Sequence, residues 1–483
     1  MKTPHAVVLL LAVSGCAVSP VSSPPSTISP PDVLAPASAA VATAPALDQW
    51  WRLYNDATLD TLVAEALANN RELRVAAANL AQANAALGQR RSARLPQTAL
   101  TAGAGYGSTV NDQLAAALDQ TEIRTGQRYD AGFDTSWELD LSGRIGHAIQ
   151  AAEADAEANQ AARDGVRVAV AAETTRAYVD SCAYAARAAV ARQSLALLSR
   201  SHQLQTRLHE AGSATPLDVA RAAALAQQAS AAIAPLDAGR QNALYELAVL
   251  TGRPPDTLPT AASACDNLPQ LDAAIPLGDV TALLQRRPDI REAERRLRAS
   301  SARIGVASAE LYPEVSIMGS VASSAPGIGN MNQKNAIAWS IGPVLSWRFP
   351  NSSAARARIT AAQAGEAAAL ARFDATILAA LKEVKQALAS YQATLQQRQD
   401  LQAAARQSSE ALRLAQLSRD AGAVSALELV DAERSAVEAA ARLAAANADV
   451  ASGQVLLFKA LGGGWQAPPA LQTASFTSDQ YDD

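Results

Sequence analysis

The chain has 483 residues, enough for several domains of ordinary size, and a formal net charge of −5, which gives no support for nucleic-acid binding. Hydrophobic residues make up 49% but aromatics only 4%, so the apolar content is mostly alanine and the interior must be thin and closely packed. Three cysteines, Cys16, Cys182 and Cys265, are too few and too scattered for a disulfide framework or a zinc site. Two free thiols are the expected state of Cys182 and Cys265, with a bridge left open as the alternative in an oxidising compartment.

The N-terminus reads as a targeting segment. Lys2 supplies the charged start, and Ala6 to Val13 form an apolar stretch too short to span a bilayer. The stretch ends in "VSGC", and small residues before a Cys in this place resemble the lipobox of bacterial lipoproteins, with Val13 where Leu is more usual. That resemblance implies a signal over 1–15, acylation of Cys16, and sorting to the outer membrane, because Ala17 rather than Asp follows. Residues 16–46 are Pro-, Ser- and Ala-rich and read as an extended tether. No later run of about 18 apolar residues appears, so any membrane span must be a closed barrel.

The rest of the chain is duplicated. "LANNRELRVAAANLAQANAALGQRRSARLPQ" (67–97) aligns without a gap with "LQRRPDIREAERRLRASSARIGVASAELYPE" (284–314), taking Leu73 to Ile290, an offset of 217. Further on, Trp137 matches Trp347 and "EAGSATPLD" (210–218) matches "DAGAVSALE" (420–428), an offset of 210. The copies span 47–265 and 266–465, leaving 466–483 as a tail. In each, a helix (58–94; 278–310) leads through Pro96 or Pro313 into a strand, "QTALTAGAGYG" or "EVSIMGSVASS", and then a Gly/Asn/Gln-containing loop.

The second strand of each copy alternates strictly. In "YDAGFDTSWELDL" (129–141) the odd positions are apolar or aromatic and the even positions small or acidic; "AIAWSIGPVLSWRF" (336–349) has the same parity. An even offset keeps the apolar face on one side in both copies, and a one-residue slip would reverse it. Pro343 predicts a bulge or weak pairing. Tyr129, Phe133, Trp137, Trp339 and Trp347 are assigned to a lipid-facing surface, and the acidic face to a wet lumen. Four strands cannot close a membrane barrel, which starts at eight, so several chains must contribute.

A helix of about 70 residues follows in each copy, 142–211 and 352–421, about 105 Å long. Ile377, Leu381, Val384, Leu388, Tyr391 and Leu395 alternate spacings of four and three, the stripe of a coiled coil. Each long helix ends at "AG", a C-cap signature, and a return helix follows (215–251; 425–461), with Pro216 suited to its first turn.

The motif "RRPDIREAERRLRASSARIGVASAELYP" (286–313), the "AG" tips and the ending "KALGGGW" (459–465) resemble the TolC-like outer-membrane factors of tripartite efflux systems, in the acylated NodT-type branch. The resemblance covers nearly the whole chain from residue 46. It implies a mainly α fold with transmembrane β: a homotrimeric α/β-barrel, with four strands and two long coiled-coil hairpins per chain. It also implies a lipid-anchored place in the outer membrane, extending into the periplasm, and a passive duct. The implied partners are a periplasmic adaptor (membrane fusion) protein and an inner-membrane transporter of the RND type. Adaptor docking falls at the tips, Gly212, Ser213, Gly422 and Ser425. A pinched periplasmic aperture falls at Leu427 and Asp431, four apart on one helix face, with Arg221 (431 minus 210) as a counter-charge. The alternatives are a structural coiled-coil outer-membrane lipoprotein or a type I secretion duct for a polypeptide.

Catalysis finds no support in the sequence. His147, His202 and His209 lie along one long helix without metal-ligand spacing, and "GAGYG" (103–107) lacks the phosphate-binding glycine pattern. No enzyme activity, cofactor or metal is expected.

Overall fold

The computed structural model describes residues 23–28, 41–42, 48–108, 110–258, 260–265, 267–271, 274–277, 280–350 and 352–463. Cys16, the signal, most of the tether and the tail lie outside them. In chain order the described elements are β1 (Val41–Ala42), α1 (Ala57–Asn69), α2 (Arg71–Ser92), β2 (Gln97–Gly107), α3 (Val110–Asp119), β3 (Gly126–Leu139) and α4 (Arg144–Glu210). Then come α5 (Pro216–Ala231), α6 (Ile233–Leu250), α7 (Thr260–Ser263), β4 (Ile275–Pro276), α8 (Val280–Arg286) and α9 (Pro288–Ala309). The last are β5 (Glu314–Ala325), β6 (Ile337–Ser346), α10 (Ser353–Asp420) and α11 (Ala426–Ala460). Two compact units draw on both halves of the chain: Met1–Ser26, Leu80–Asn159 and Ala293–Phe373 form one, and the remainder the other.

The first unit holds an antiparallel sheet of order β2-β3-β5-β6. Pro343 makes no bulge: the β5–β6 register runs unbroken from Glu314 opposite Ser346 to Ser323 opposite Ile337. β6 is an edge strand of this sheet, where a missing N–H is tolerated. The connection after β2, expected as a loop, contains α3. Asp140 starts α4 by accepting from the N–H groups of Ile145 (2.9 Å) and Gly146 (2.7 Å), two of the donors that the first turn leaves unpaired.

The expected helix over 58–94 is two helices. The Asn70 side chain caps α2, accepting from Glu72 N (2.9 Å) and Leu73 N (3.1 Å). The second copy breaks at the equivalent Arg287 (70 plus 217), and there Pro288 opens the new helix. The return helix expected over 215–251 also divides, after Ala231. Pro235 has no N–H for the Ala231 carbonyl, whereas Ala445 at the matching position leaves α11 continuous.

The core of the second unit gathers Trp50, stacked on Phe458 at 4.6 Å between centroids, with Leu59, Val63, Val179, Leu247, Ile275 and Leu457. The heptad stripe of α10 is buried from Ile377 through Tyr391, and Val384, Leu388 and Tyr391 enter this core with Leu395 packed against it. Cys182 and Cys265 do not remain free thiols. The fold brings their Cα atoms to 5.3 Å, and they form a disulfide across a sequence separation of 83. Arg287 joins the two motifs that carried the resemblance. It donates to the Ala460 carbonyl (2.7 Å), and to Asp289 (2.7 Å) and Glu383 (2.8 Å). Gly462 lies so near that a Cβ there would meet Arg287 Cγ at 3.0 Å.

Candidate functional site

Opposed residues of antiparallel strands point to one face, so register fixes what each face presents. Leu100 stands opposite Phe133, Phe133 opposite Val321, and Val321 opposite Trp339. Parallel rows on this face are Thr135–Gly319–Ile341, Trp137–Ile317–Pro343 and Leu139–Val315–Leu345. The face is apolar across four strands and exposed, with Leu100 at 82%, Trp339 at 73% and Ile341 at 71%. The alternate rows are Asp130–Ser324, Asp134–Ser320–Ser340 and Glu138–Ser316. On that second face Ser324 donates to Asp130 (2.6 Å), and the Ser320 and Ser340 hydroxyls meet at 2.8 Å.

Of the five residues assigned to lipid contact, register puts Tyr129, Phe133, Trp137 and Trp339 on the apolar side, and Trp347 follows the last residue of β6. Phe133, Trp137, Trp339 and Trp347 are exposed and Tyr129 half-buried. Two tryptophans are held identically: Trp137 Nε1 donates to the Arg94 carbonyl (3.0 Å) and Trp347 Nε1 to the Leu311 carbonyl (3.2 Å). Donors and acceptors are related by the offsets of 210 and 217, so the duplication survives at the level of single hydrogen bonds. An amphipathic ring with a satisfied N–H at a strand end suits a membrane–water boundary. β2 and β6 each pair on one side only and are exposed along nearly their whole length. No described helix is long and apolar enough to cross a membrane.

The two hairpin turns are copies of one another. Gly212 and Gly422 adopt φ of 76° and 72°, the left-handed conformation a glycine takes without cost. Ser213 N donates to the Leu208 carbonyl (2.7 Å) and Ala423 N to the Ser418 carbonyl (2.8 Å), closing both helix ends in the same way. Thr215 with Asp218, and Ser425 with Glu428, then form reciprocal capping boxes that start α5 and α11. Hydrogen bonds from Thr215 hold the Asp218 carboxyl below its usual range, with Arg221 and Arg419 adding to the effect.

Of the aperture residues, Leu427 is 51% exposed. Asp431 accepts from Arg434 at 2.7 Å, and within the chain it is this pair, not Arg221 with Asp431, that forms. Arg221 sits one turn from Asp218 in α5. His147 is buried with its ring against Gly305, His209 Nδ1 meets the Ala214 carbonyl at 2.9 Å, and among the described residues no group of three or more His, Cys, Asp or Glu could hold a metal ion. Sequence reasoning missed the contribution of β2 to the apolar face, where the parity is even (Leu100, Tyr106), and the buried polar residues Gln205 and Glu433. Strand pairing carries the first signal, and the interrupted heptad Leu198–Ser201–Gln205 carries the second.

The model of the family described as outer membrane efflux protein matches residues 62–253 and 280–463. The chain is 32% identical over 427 residues to outer membrane protein OprJ of Pseudomonas aeruginosa, covering 87% of each. It is 28% identical over 464 residues to nodulation protein T of Rhizobium leguminosarum bv. viciae, covering 96% of this chain and 94% of the relative. Among solved structures, the outer-membrane channel OprN superposes with a TM-score of 0.83 at 34% identity, over 89% of this chain and 95% of OprN. A sheet with one exposed apolar and one polar face, two matched hairpins, and these likenesses together place the chain in the outer membrane efflux protein family, as a TolC-like outer-membrane channel.

Proposed function

We propose that three copies of this chain pair their β2 and β6 edges into a twelve-strand barrel, and that the assembly is the passive outer-membrane duct of a tripartite small-molecule efflux system. The observation that carries this reading is the two-faced sheet with both edges unpaired. An open edge in lipid would leave backbone groups unsatisfied, so closure by further copies is required. The apolar face, with Tyr129, Phe133, Trp137, Trp339 and Trp347, meets lipid, and the Asp130–Asp134–Glu138 face lines the lumen. A stalk lipoprotein has no use for such a sheet. Cys16 carries the acyl anchor, and the halves 47–265 and 266–465 are copies of one unit.

The tips at Gly212, Ser213, Gly422 and Ser425 dock the adaptor, which links the duct to an RND-type transporter. Leu427 forms an apolar collar and Asp431 an acidic ring at the periplasmic aperture, with Arg221 of a neighbouring hairpin as counter-charge. The test is export by Gly212→Val and Gly422→Val in a strain lacking the native gene. Nothing lies within 4 Å of a Cβ added at either glycine, so the change acts on the turn conformation alone. Both variants should insert and assemble but fail to restore drug resistance. Normal resistance from both would exclude tip docking.

A further inference from the structure

The four-stranded sheet holds three registers, and the duplication relates two of them. In β2 and β3, Leu100 stands opposite Phe133. The offset of 217 carries Leu100 to Ile317, and the offset of 210 carries Phe133 to Pro343. Ile317 and Pro343 are opposed in β5 and β6. The two offsets therefore transfer a register from one repeat to the other without a slip.

The third register joins the repeats. The last strand of the first, β3, pairs with the first strand of the second, β5, and sets Trp137 opposite Ile317. Moved forward by 210 and back by 217, this pair becomes Trp347 opposite Leu100. That is a pairing of β6 with β2, the strands at the two edges of the sheet. Within one chain they lie three strand spacings apart, about 14 Å, so the partner must be a second copy of the chain. The facing agrees. Leu100 lies on the apolar face with Phe133, and Trp347 continues the odd, apolar positions of β6. A slip of one residue would set it against the polar face.

The alternation of β6 runs past its last paired residue, Ser346. Trp347 and Phe349 stack at 4.9 Å between centroids, as side chains two apart on one side of an extended chain can. Arg348 between them points to the polar side and is exposed. The transferred register sets it opposite Ala99 of the next chain, and Ala99 is in turn opposite Asp134, also exposed. The other charges of the polar rows are matched within the chain. Asp130 is held by Arg128 at 3.0 Å, Glu138 by Arg144, and Glu314 acts on Arg144. Arg348 and Asp134 have no ion-pair partner among the described residues. Across the seam they would stand two strand spacings apart, about 9.6 Å. An ion pair needs about 4 Å, which leaves about 6 Å for the side chains, a span an extended arginine covers. The residue crossed is an alanine, whose methyl group leaves the way clear.

We propose that Trp347 of one chain stands opposite Leu100 of the next, and that Arg348 crosses Ala99 of that next chain to pair with its Asp134 on the lumen side of the seam. The pair rests on the reading of the sheet as one part of a closed barrel. Three such pairs compensate three carboxylates that would otherwise ring the duct. The seam thus sets the charge a permeating ion meets as well as the fit between chains.

Ser346→Cys/Thr101→Cys puts two thiols at opposed positions of the seam, so oxidation of outer-membrane fractions should link chains into covalent dimers and trimers. Ser346→Cys with Ala99→Cys or Gly103→Cys, two residues to either side, should link at least threefold less. A highest yield at 99 or 103 overturns the register. Arg348→Gln should lower the temperature at which the trimer dissociates and raise the preference for potassium over chloride at least twofold in planar bilayers. The exchange Arg348→Asp/Asp134→Arg should bring both back toward wild type, which an arginine needed only for packing would not allow. An exchange no better than Asp134→Arg alone overturns the ion pair. If the wild type forms no oligomer, the barrel reading fails and the pair with it; if it assembles but links best at another position, only the seam fails.

Discussion

Trp339 and Ser340 are adjacent residues that should respond oppositely to the same charge. Trp339 belongs to the row Leu100–Phe133–Val321–Trp339 on the apolar face, and Ser340 faces the other way, 2.8 Å from Ser320. Phe133 stands four residues from both Tyr129 and Trp137, about 13 Å along the strand in each direction. With a tilt of about 40° that row lies roughly 10 Å from each aromatic level, near the middle of an apolar band about 25 Å tall. An arginine facing lipid at that depth costs about 2–4 kcal/mol. A closed trimer carries three copies, so Trp339→Arg should cost roughly 6–12 kcal/mol of barrel stability. Ser340→Arg enters a wet lumen and should cost little. The assay is the heat-dissociable trimer in outer-membrane fractions: nearly lost for Trp339→Arg and close to wild type for Ser340→Arg. Equal insertion of the two, or loss of the serine variant alone, would refute the facing deduced from register.

Cys265→Ser should destabilise the second unit by about 4–5 kcal/mol if the bridge acts through loop closure, read as a lowered melting midpoint of the purified protein. Alkylation of the unreduced, unfolded wild type should leave Cys182 and Cys265 unmodified. Arg287→Ala removes the donor shared by Ala460, Asp289 and Glu383 and should cost about 3–5 kcal/mol, seen as a lower assembly yield and midpoint. Leu427→Ala with Asp431→Ala should raise single-channel conductance and sensitise cells to large antibiotics such as vancomycin. Unchanged conductance would remove both residues from the aperture.

The strands and long helices were legible in the sequence because two exact offsets let each copy check the other. Alternation over 129–141 recurs over 336–349 with its parity intact, and both "AG" tips became the same capped turn. The helix breaks were harder. Asn70 interrupts a strongly helical stretch by capping with its side chain, a local competition that periodicity cannot see. Pro235 was visible in the sequence but lay inside an unbroken alanine-rich pattern. The Cys182–Cys265 bridge depends on a fold that brings residues 83 apart together, and no spacing rule supplies that. Pro343 read as a defect because its strand's place at the sheet edge comes only from topology. The polar seam at Gln205 and Glu433 was hidden because alanine blurs the heptad on either side. Within the chain the partner of Asp431 is its neighbour Arg434 rather than a residue of the other repeat.

Copies of this chain should enclose a water-filled path through the outer membrane. This is tested most directly by adding the purified, assembled wild-type protein to a planar lipid bilayer under voltage. Discrete conductance steps of uniform size are expected, abolished by Trp339→Arg and preserved by Ser340→Arg. Assembled protein that inserts into the bilayer yet passes no current in any of its openings would contradict this expectation.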